Sequence, residues 1–419
     1  MAKCKCKNRK KKSLIVVSVI LALVIVIAGA NLLMLNNLLK KGNSYEAVET
    51  EKQLVPQKDE NGYWYFTTDE DFKVMHLTDI HIGGGFLSKD VDEKALNAIA
   101  LMVTKEKPDL VVATGDIAFP VPYTAGTFNN YTGATAFGNL MDSLGVYWTV
   151  TFGNHDAEAY SYFDREAVAG IYSSDDFKYC LFQSGPEDVD GHGNHVIEVK
   201  NSKGIITQAM VMIDSQAYVK DNIIESIKGT YDNIHPNQVE WYENEINRMN
   251  KENRTINKKA DNVVTHAFFH IPLVEMADGW NEFVENNFTD TKNFKYIEGI
   301  IGEGGRRVYC GYGEDELFEK MLELGSTKAM YNGHDHINNT TFNYKGILFS
   351  YGYSIDYFAY SGIDKQGSQR GCTMITCKPD GEFSIDKYNY YSDRYNLEGF
   401  SREEVTMQFE DVTYQTEAE

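Results

Sequence analysis

Five apolar, strand-like runs in this chain are each followed at once by Asp, Asn or His, and that ordering constrains the fold more than any other feature. Val74–Leu77 leads to Asp79-Ile80-His81, Leu110–Ala113 to Gly115-Asp116, and Val146–Thr151 to Gly153-Asn154-His155-Asp156. Val263–Phe269 ends at His270, and Ala329–Tyr331 leads to Gly333-His334-Asp335-His336. Open α/β sheets gather their sites where strands end at their carboxyl side, so a chain built this way must bring distant segments to one rim. The intervening stretches support that reading. Strand-like runs also occupy Phe72–Leu77 and Ile205–Ile213, and helical patterns fall at Val91–Lys105, Phe137–Leu144, Pro236–Met249 and Glu314–Leu324. Their alternation predicts βαβ units and a largely parallel sheet. From Lys345 to Tyr390 the pattern turns to strands only, punctuated by Gly and Asp turns.

Taken singly, each cluster has an ordinary reading. Asp116 after Gly115 suits a turn, Asn154 suits a turn, and a lone His270 suits a hydrogen-bonded core position. Together they do not, because five of the ten histidines sit in these clusters, each at a strand exit. In Asp79-x-His81 the spacing of two points both side chains the same way, and carboxylate with imidazole is a natural donor pair for a transition metal.

The ordered set D-x-H, G-D, G-N-H-D, H and G-H-x-H resembles the calcineurin-like metallophosphoesterase superfamily, over about Asp79 to His336. The Phe269-His270-Ile271-Pro272-Leu273 and Gly333-His334-Asp335-His336 segments are similar to a purple-acid-phosphatase-like subgroup. The resemblance implies a four-layer α/β/β/α sandwich and two divalent or trivalent metal ions, drawn from Fe, Mn or Zn. It implies that Asp79, His81 and His336 hold one metal, that Asn154, His270 and His334 hold the other, and that Asp116 bridges them. His155 would then stand near the phosphate as a general acid or charge stabiliser, oriented by Asp156. Phe119 stands where the purple enzymes carry an iron-binding Tyr, and His81 is an added ligand, so no tyrosinate–iron colour is expected. The implied reaction is hydrolysis of a phosphomonoester or phosphodiester by a bridging hydroxide, on a small-molecule, lipid or protein substrate. The alternative is a non-hydrolytic cell-surface binding protein on the same fold.

The N-terminus adds a location. Met1–Lys12 carries seven basic residues, and Leu14–Ala30 is apolar apart from Ser18 and Gly29, with apolar character running on to Leu35. About 20 apolar residues cross a bilayer as a helix. We read residues 1–12 as a cytoplasmic basic segment, 13–35 as a transmembrane signal anchor and 36–62 as a linker. Residues 63–400 form the catalytic domain, held outside the cytoplasm by the positive-inside rule, and 401–419 an acidic tail. Cleavage after Ala28-Gly29-Ala30 is the competing reading. Beyond residue 41 the chain holds 31 Lys and Arg against 61 Asp and Glu, a net of about −30, which argues against long nucleic acids as partners.

Minor signals have plain readings. Cys372 and Cys377 share one apparent strand, so at about 3.3 Å per residue they lie too far apart to bridge, and any disulfide needs Cys180 or Cys310. His76 and His266 read as packing residues, and Gly191–His195 as a hairpin turn. Arg306-Arg307 reads as a solvated loop, the aromatics of 275–313 as a cap or a self-burying insertion, and the sequon at Asn338 as fortuitous.

Overall fold

A computed structural model describes residues 2–50, 52–220, 222–304, 307–313, 315–360, 363 and 369–403, with backbone alone for residues 2–11 and Ile223. The strands are β1 (Gln57–Lys58), β2 (Trp64–Thr67), β3 (Phe72–Leu77), β4 (Leu110–Thr114), β5 (Tyr147–Thr151), β6 (His195–Lys200) and β7 (Ile206–Met212). They continue as β8 (Val264–Phe268), β9 (Phe294–Glu298), β10 (Thr327–Asn332), β11 (Thr341–Tyr344), β12 (Ile347–Tyr351), β13 (Gly371–Cys377) and β14 (Phe383–Asn389). The helices are α1 (Ala2–Gly42), α2 (Lys89–Glu106), α3 (Asn130–Leu144), α4 (Arg165–Tyr172), α5 (Ile223–Lys228), α6 (Pro236–Ile256), α7 (Val274–Glu285) and α8 (Leu317–Leu324).

Two mixed sheets stack face to face. One has the order β14-β13-β3-β4-β5, the other β1-β2-β6-β7-β8-β10-β12-β11-β9. Between them lies an apolar layer including Phe72, Val74, Leu110, Val112, Phe268, Tyr331 and Ile375. Helices α2, α3 and α4 cover the outer face of the first sheet with Leu96, Ile99, Phe137, Leu140 and Val168, and α6, α7 and α8 cover the second with Tyr242, Ile246, Trp280 and Phe318. This is the expected four-layer α/β/β/α sandwich. Burying one such side chain contributes about 1.5–3 kcal/mol, so the three layers supply most of the stabilisation.

Register aligns the chemistry. Strands β3, β4 and β5 pair in parallel, and so do β7, β8, β10 and β12. Their carboxyl ends therefore meet at one rim of the stacked sheets, where an isolated parallel bridge from Thr78 to Ser354 joins the segment after β3 to the segment after β12.

Several boundaries differ from expectation: α6 runs on from Met249 to Ile256, and three others have a visible cause. Helix α3 starts seven residues before Phe137, because Asn129 caps it by accepting from the Tyr131 amide and its first turns use Gly133, Ala134 and Ala136, which leave no bulky stripe to read. Helix α1 continues through Gly42, into the predicted linker. Leu38 is buried in the first core, and Gly42 packs so closely on Ala136 and Asn139 that a Cβ there would lie 2.8 Å from the Ala136 oxygen. The tail also begins later than residue 401 suggests, since Glu403 accepts from the hydroxyls of Tyr357 and Tyr391; residues 404–419 lie outside the described residues. All four cysteines whose side chains are described are free.

Candidate metal centre

The rim gathers its donors from both sheets. Asp79, His81, Asp116 and His336 each present a ligand atom within 4.8 Å of one another, and so do Asp116, His270 and His334. Asp116 belongs to both groups. Its Oδ2 lies 3.4 Å from His81 Nε2 and 3.1 Å from His270 Nε2, while His336 Nε2 lies 3.7 Å from Asp79 Oδ1. All these groups are buried except His336, which is partly open.

The backbone is bent to achieve this. Asp79, His81, Asp116 and His334 have φ of 51°, 54°, 52° and 75°, a left-handed conformation that costs non-glycine residues energy and concentrates at functional sites. Local hydrogen bonds hold the bends. The amides of Asp79 and His81 donate to the oxygens of Gly115 and Asp116, and the His334 amide donates to the Asp79 carboxylate at 3.1 Å. Glycine is required where these turns crowd. A Cβ on Gly153 would lie 2.1 Å from Asp116 Oδ1, and one on Gly333 would lie 1.8 Å from Thr78 Oγ1.

The protonation chemistry fits cation binding. His270 Nδ1 donates to the Thr114 carbonyl at 2.7 Å, which fixes the ring with Nε2 turned toward Asp116, 3.1 Å from its Oδ2. Burial opposes charge on His81 and His270, yet Asp356 and Asp116 raise His81 to about 10, and Asp116 raises His270 to about 9. Burial, assisted by His270, keeps His334 well below the usual histidine range. Against its own burial, the imidazoles of His270 and His155 hold the Asp116 carboxyl well below the usual carboxylate range. The strongest evidence is the set of buried atoms without hydrogen-bond partners: both nitrogens of His81, Asp116 Oδ2, Asn154 Oδ1, His270 Nε2 and His336 Nδ1. Each such atom costs about 1–3 kcal/mol if left unsatisfied. Asn154 is informative, because its amide nitrogen donates to the Tyr218 hydroxyl at 3.2 Å and its oxygen is left for a cation.

With this geometry in view, the calcineurin-like phosphoesterase model matches residues 72–365. The chain belongs to the calcineurin-like phosphoesterase family. Among relatives, it is 26% identical over 316 residues to probable inactive purple acid phosphatase 28 of Arabidopsis thaliana, over 70% of this chain and 73% of that protein. It is 26% identical over 335 residues to probable inactive purple acid phosphatase 29 of the same plant (74% and 77%), and 26% identical over 291 residues to phosphatase DCR2 of Saccharomyces cerevisiae (65% and 45%). A dimetal phosphatase from Danio rerio is similar at 12% identity and a TM-score of 0.46, covering 77% of this chain and 97% of that one. For this calcineurin-like phosphoesterase, the buried Asp and His donors fit two metal ions.

Seven predicted donors, Asp79, His81, Asp116, Asn154, His270, His334 and His336, stand at this rim. His155 stands beside them, its amide donating to Asp116 Oδ1 at 2.8 Å and its ring 5.7 Å from that of His81. The role given to Asp156 needs correction. Its two oxygens accept from the amides of Asp116, Ile117, Ala118 and Gly153, so it fixes the Asp116 loop. Glu158 contacts His155 instead, with Oε1 2.8 Å from Nδ1, and Tyr218 donates to the same oxygen at 3.1 Å. Sequence reading also missed Asp356, whose two oxygens lie 3.8 Å from His81 Nδ1 and 3.6 Å from His336 Nδ1 while it accepts from the amides of Phe358, Ala359 and Tyr360. Phe119 presents a bare ring edge-on to His81 and His155, at 5.2 and 4.6 Å, and adds no oxygen donor.

The minor signals resolve simply. His76 and His266 are buried packing residues bonded to Thr114 and Gln208. Gly191–Asn194 is a loop entering β6, rather than the expected hairpin turn, and His195 opens that strand. The aromatics Trp280, Phe283, Phe288, Phe294 and Tyr296 pack on one another and on the second core. Asn338 is buried, accepting from the amides of Gly302 and Glu303, so the folded sequon has no room for a glycan. Arg306 lies outside the described residues.

Proposed function

We propose that this chain is an active, metal-dependent phosphoester hydrolase, working on a phosphomonoester or phosphodiester outside the cytoplasm and held to the membrane by α1. Asp79, His81 and His336 would hold one ion, and Asn154, His270 and His334 the other, with Asp116 shared. A bound pair of cations offsets phosphoryl charge and supplies a hydroxide nucleophile near neutral pH. The protein's own part is to fix the donors from two sheets, to exclude water behind them with the apolar inter-sheet layer, and to place His155 where it gives a proton to the leaving oxygen. Glu158 steadies that imidazole. The observation that carries the reading is the set of buried donor atoms converging around Asp116, several of them left without a hydrogen bond. The two plant relatives are named probable inactive, which supports the rival, a non-hydrolytic cell-surface binding protein on the same fold.

The test uses the full chain in detergent. Metal content is measured, then turnover of p-nitrophenyl phosphate and its bis-ester. The hydrolase reading expects about two ions per chain, a loss of about 100-fold or more for His155→Ala, and near-complete loss for Asp116→Asn. Full turnover in Asp116→Asn would defeat the shared-ligand assignment. Two bound ions with no turnover of either ester would favour the binding rival. The anchor is tested separately by fractionation: α1 is long and apolar enough to cross a membrane, and release of a species beginning at Asn31 would make it a cleaved signal.

A further inference from the structure

The loops that deliver the donors also carry a band of exposed apolar side chains, and α1 leaves the body beside it. Leu87 follows β3, Tyr123 and Phe128 follow β4, and Tyr160, Tyr162 and Phe163 follow β5; Tyr123 is 83% exposed and Tyr162 68%. The three loops form one surface. The Leu87 amide donates to the Ala125 oxygen at 3.1 Å, the Tyr162 amide donates to the Phe128 oxygen at 2.9 Å, and those two rings stack with centroids 6.0 Å apart. Such a patch next to a polar rim marks an interaction surface.

The direction of α1 identifies the occupant. Asn31 Nδ2 donates to the Gly126 oxygen at 2.8 Å, just before α3 begins, whereas Gly42 lies against Ala136 and Leu140 farther along α3. The two helices thus run the same way. The start of α3 is at the donor rim, where Asn130 Nδ2 donates to the Asp156 oxygen at 2.8 Å. The apolar segment 14–30 therefore departs from the edge that carries the donors, attached at Gly126 within the exposed band. At about 1.5 Å per residue it reaches roughly 25 Å beyond that edge, close to the hydrocarbon thickness of a bilayer. A chain anchored this way has lipid head groups beside its tyrosines, and Tyr is enriched at that level of membrane proteins.

We propose that this band rests in the head-group layer of the membrane that α1 crosses, and that the metal centre takes phosphoester head groups of lipids in that leaflet. The inference rests on the hydrolase and anchor readings above and names their substrate class. Hydrolysis would break the bond from phosphorus to the lipid oxygen, add the oxygen of water to phosphorus, and return one proton to the lipid oxygen. The phosphate product leaves to water and the lipid alcohol stays in the bilayer. Because the body is strongly acidic, docking depends on apolar side chains rather than on charge, so the bilayer of choice is zwitterionic.

The experiment places the full chain in phosphatidylcholine nanodiscs. Tyr123→Trp is compared with Ile256→Trp, whose site is 51% exposed at the end of α6, where Asn253 binds Ile206 at the start of β7 and so at the opposite edge. With brominated acyl chains, the Trp added at 123 should be quenched at least about threefold more than the one at 256, as expected for a side chain about 5–10 Å into the interface. Equal quenching in protein that stays with the disc overturns the docking, and a dimer by mass would then give the face to a second copy. Loss from the disc defeats the anchor instead. In parallel, turnover of phosphatidic acid and phosphatidylglycerol in the disc is compared with soluble p-nitrophenyl phosphate and its bis-ester. Leu87→Ser, Tyr123→Ser and Tyr162→Ser combined should lose about tenfold or more on the lipids and less than about twofold on the soluble esters. Turnover of a soluble ester with neither lipid hydrolysed overturns the lipid assignment and leaves the hydrolase standing. Turnover of none sinks the hydrolase reading and the lipid substrate with it.

Discussion

Asp356 faces two imidazoles at once, one carboxylate oxygen toward the far nitrogen of His81 and the other toward that of His336. A carboxylate in that place aims the ligand nitrogens and makes them better donors. Asp356→Asn should therefore weaken metal binding about 10–100-fold, read from metal content after dialysis against a graded chelator. Glu158 acts at a different point. Glu158→Gln should lower kcat about 10-fold while KM stays within about twofold, since it loosens His155 without touching the donors; an unchanged kcat would remove Glu158 from the account. These two residues also show where sequence reading runs out. The seven expected donors announce themselves as Asp, Asn or His just past an apolar run. Asp356 also follows a strand, but Gly352-Tyr353-Ser354-Ile355 separates them and no histidine marks the turn. Glu158 sits in Ala157-Glu158-Ala159-Tyr160, which has the look of any solvated loop. Asp156 is misread for the opposite reason: being adjacent to His155 in the chain says nothing about which way its carboxylate points.

At the level of elements, periodicity carries most of the information. Strands β3 and β4 are readable from their apolar runs to within a residue, and α2 from its Ala95, Ile99, Met102 spacing. What the pattern does not contain is pairing. That β13 runs antiparallel to β3, or that β9 joins β11 at the far edge, depends on side chains from separate segments meeting across a sheet. The strands also hold buried neutral histidines whose cost appears in acid. In β8, burial pushes the His266 imidazole down to about 3. Its folded value is below its unfolded value of about 6.5, so its contribution is fully present above pH 6.5 and is lost as pH falls from there toward 3. Each such group adds up to about 1.4 kcal/mol of slope per pH unit in that window. Chemical denaturation of the native chain and of His266→Asn, both stripped of metal, should show a shallower slope between pH 6.5 and 4.5 in the variant. Equal slopes would mean that His266 accepts a proton in the folded state.

On the scale of the whole molecule, the expected donors are divided between the two sheets. Asp79, His81, Asp116 and Asn154 follow strands of one sheet, and His270, His334 and His336 follow strands of the other. Besides the apolar layer, polar links stitch the sheets at this rim, among them the His334 amide on the Asp79 carboxylate, His270 Nδ1 on the Thr114 carbonyl and Asn154 on Tyr218. A cation pair seated there works as a rivet through two plates. Any ligand that binds only the assembled state adds RT ln(1 + [L]/Kd) to stability, about 4 kcal/mol at a thousandfold excess over Kd. Chelation should accordingly lower the melting temperature by several degrees and raise amide exchange first along β4 and β10, where the plates are pinned. A melting temperature indifferent to chelator would mean that the plates hold without their fastener. If the rivet matters, the protein carries its own gauge of metal supply, because a chain starved of metal would come apart at the seam where its chemistry resides.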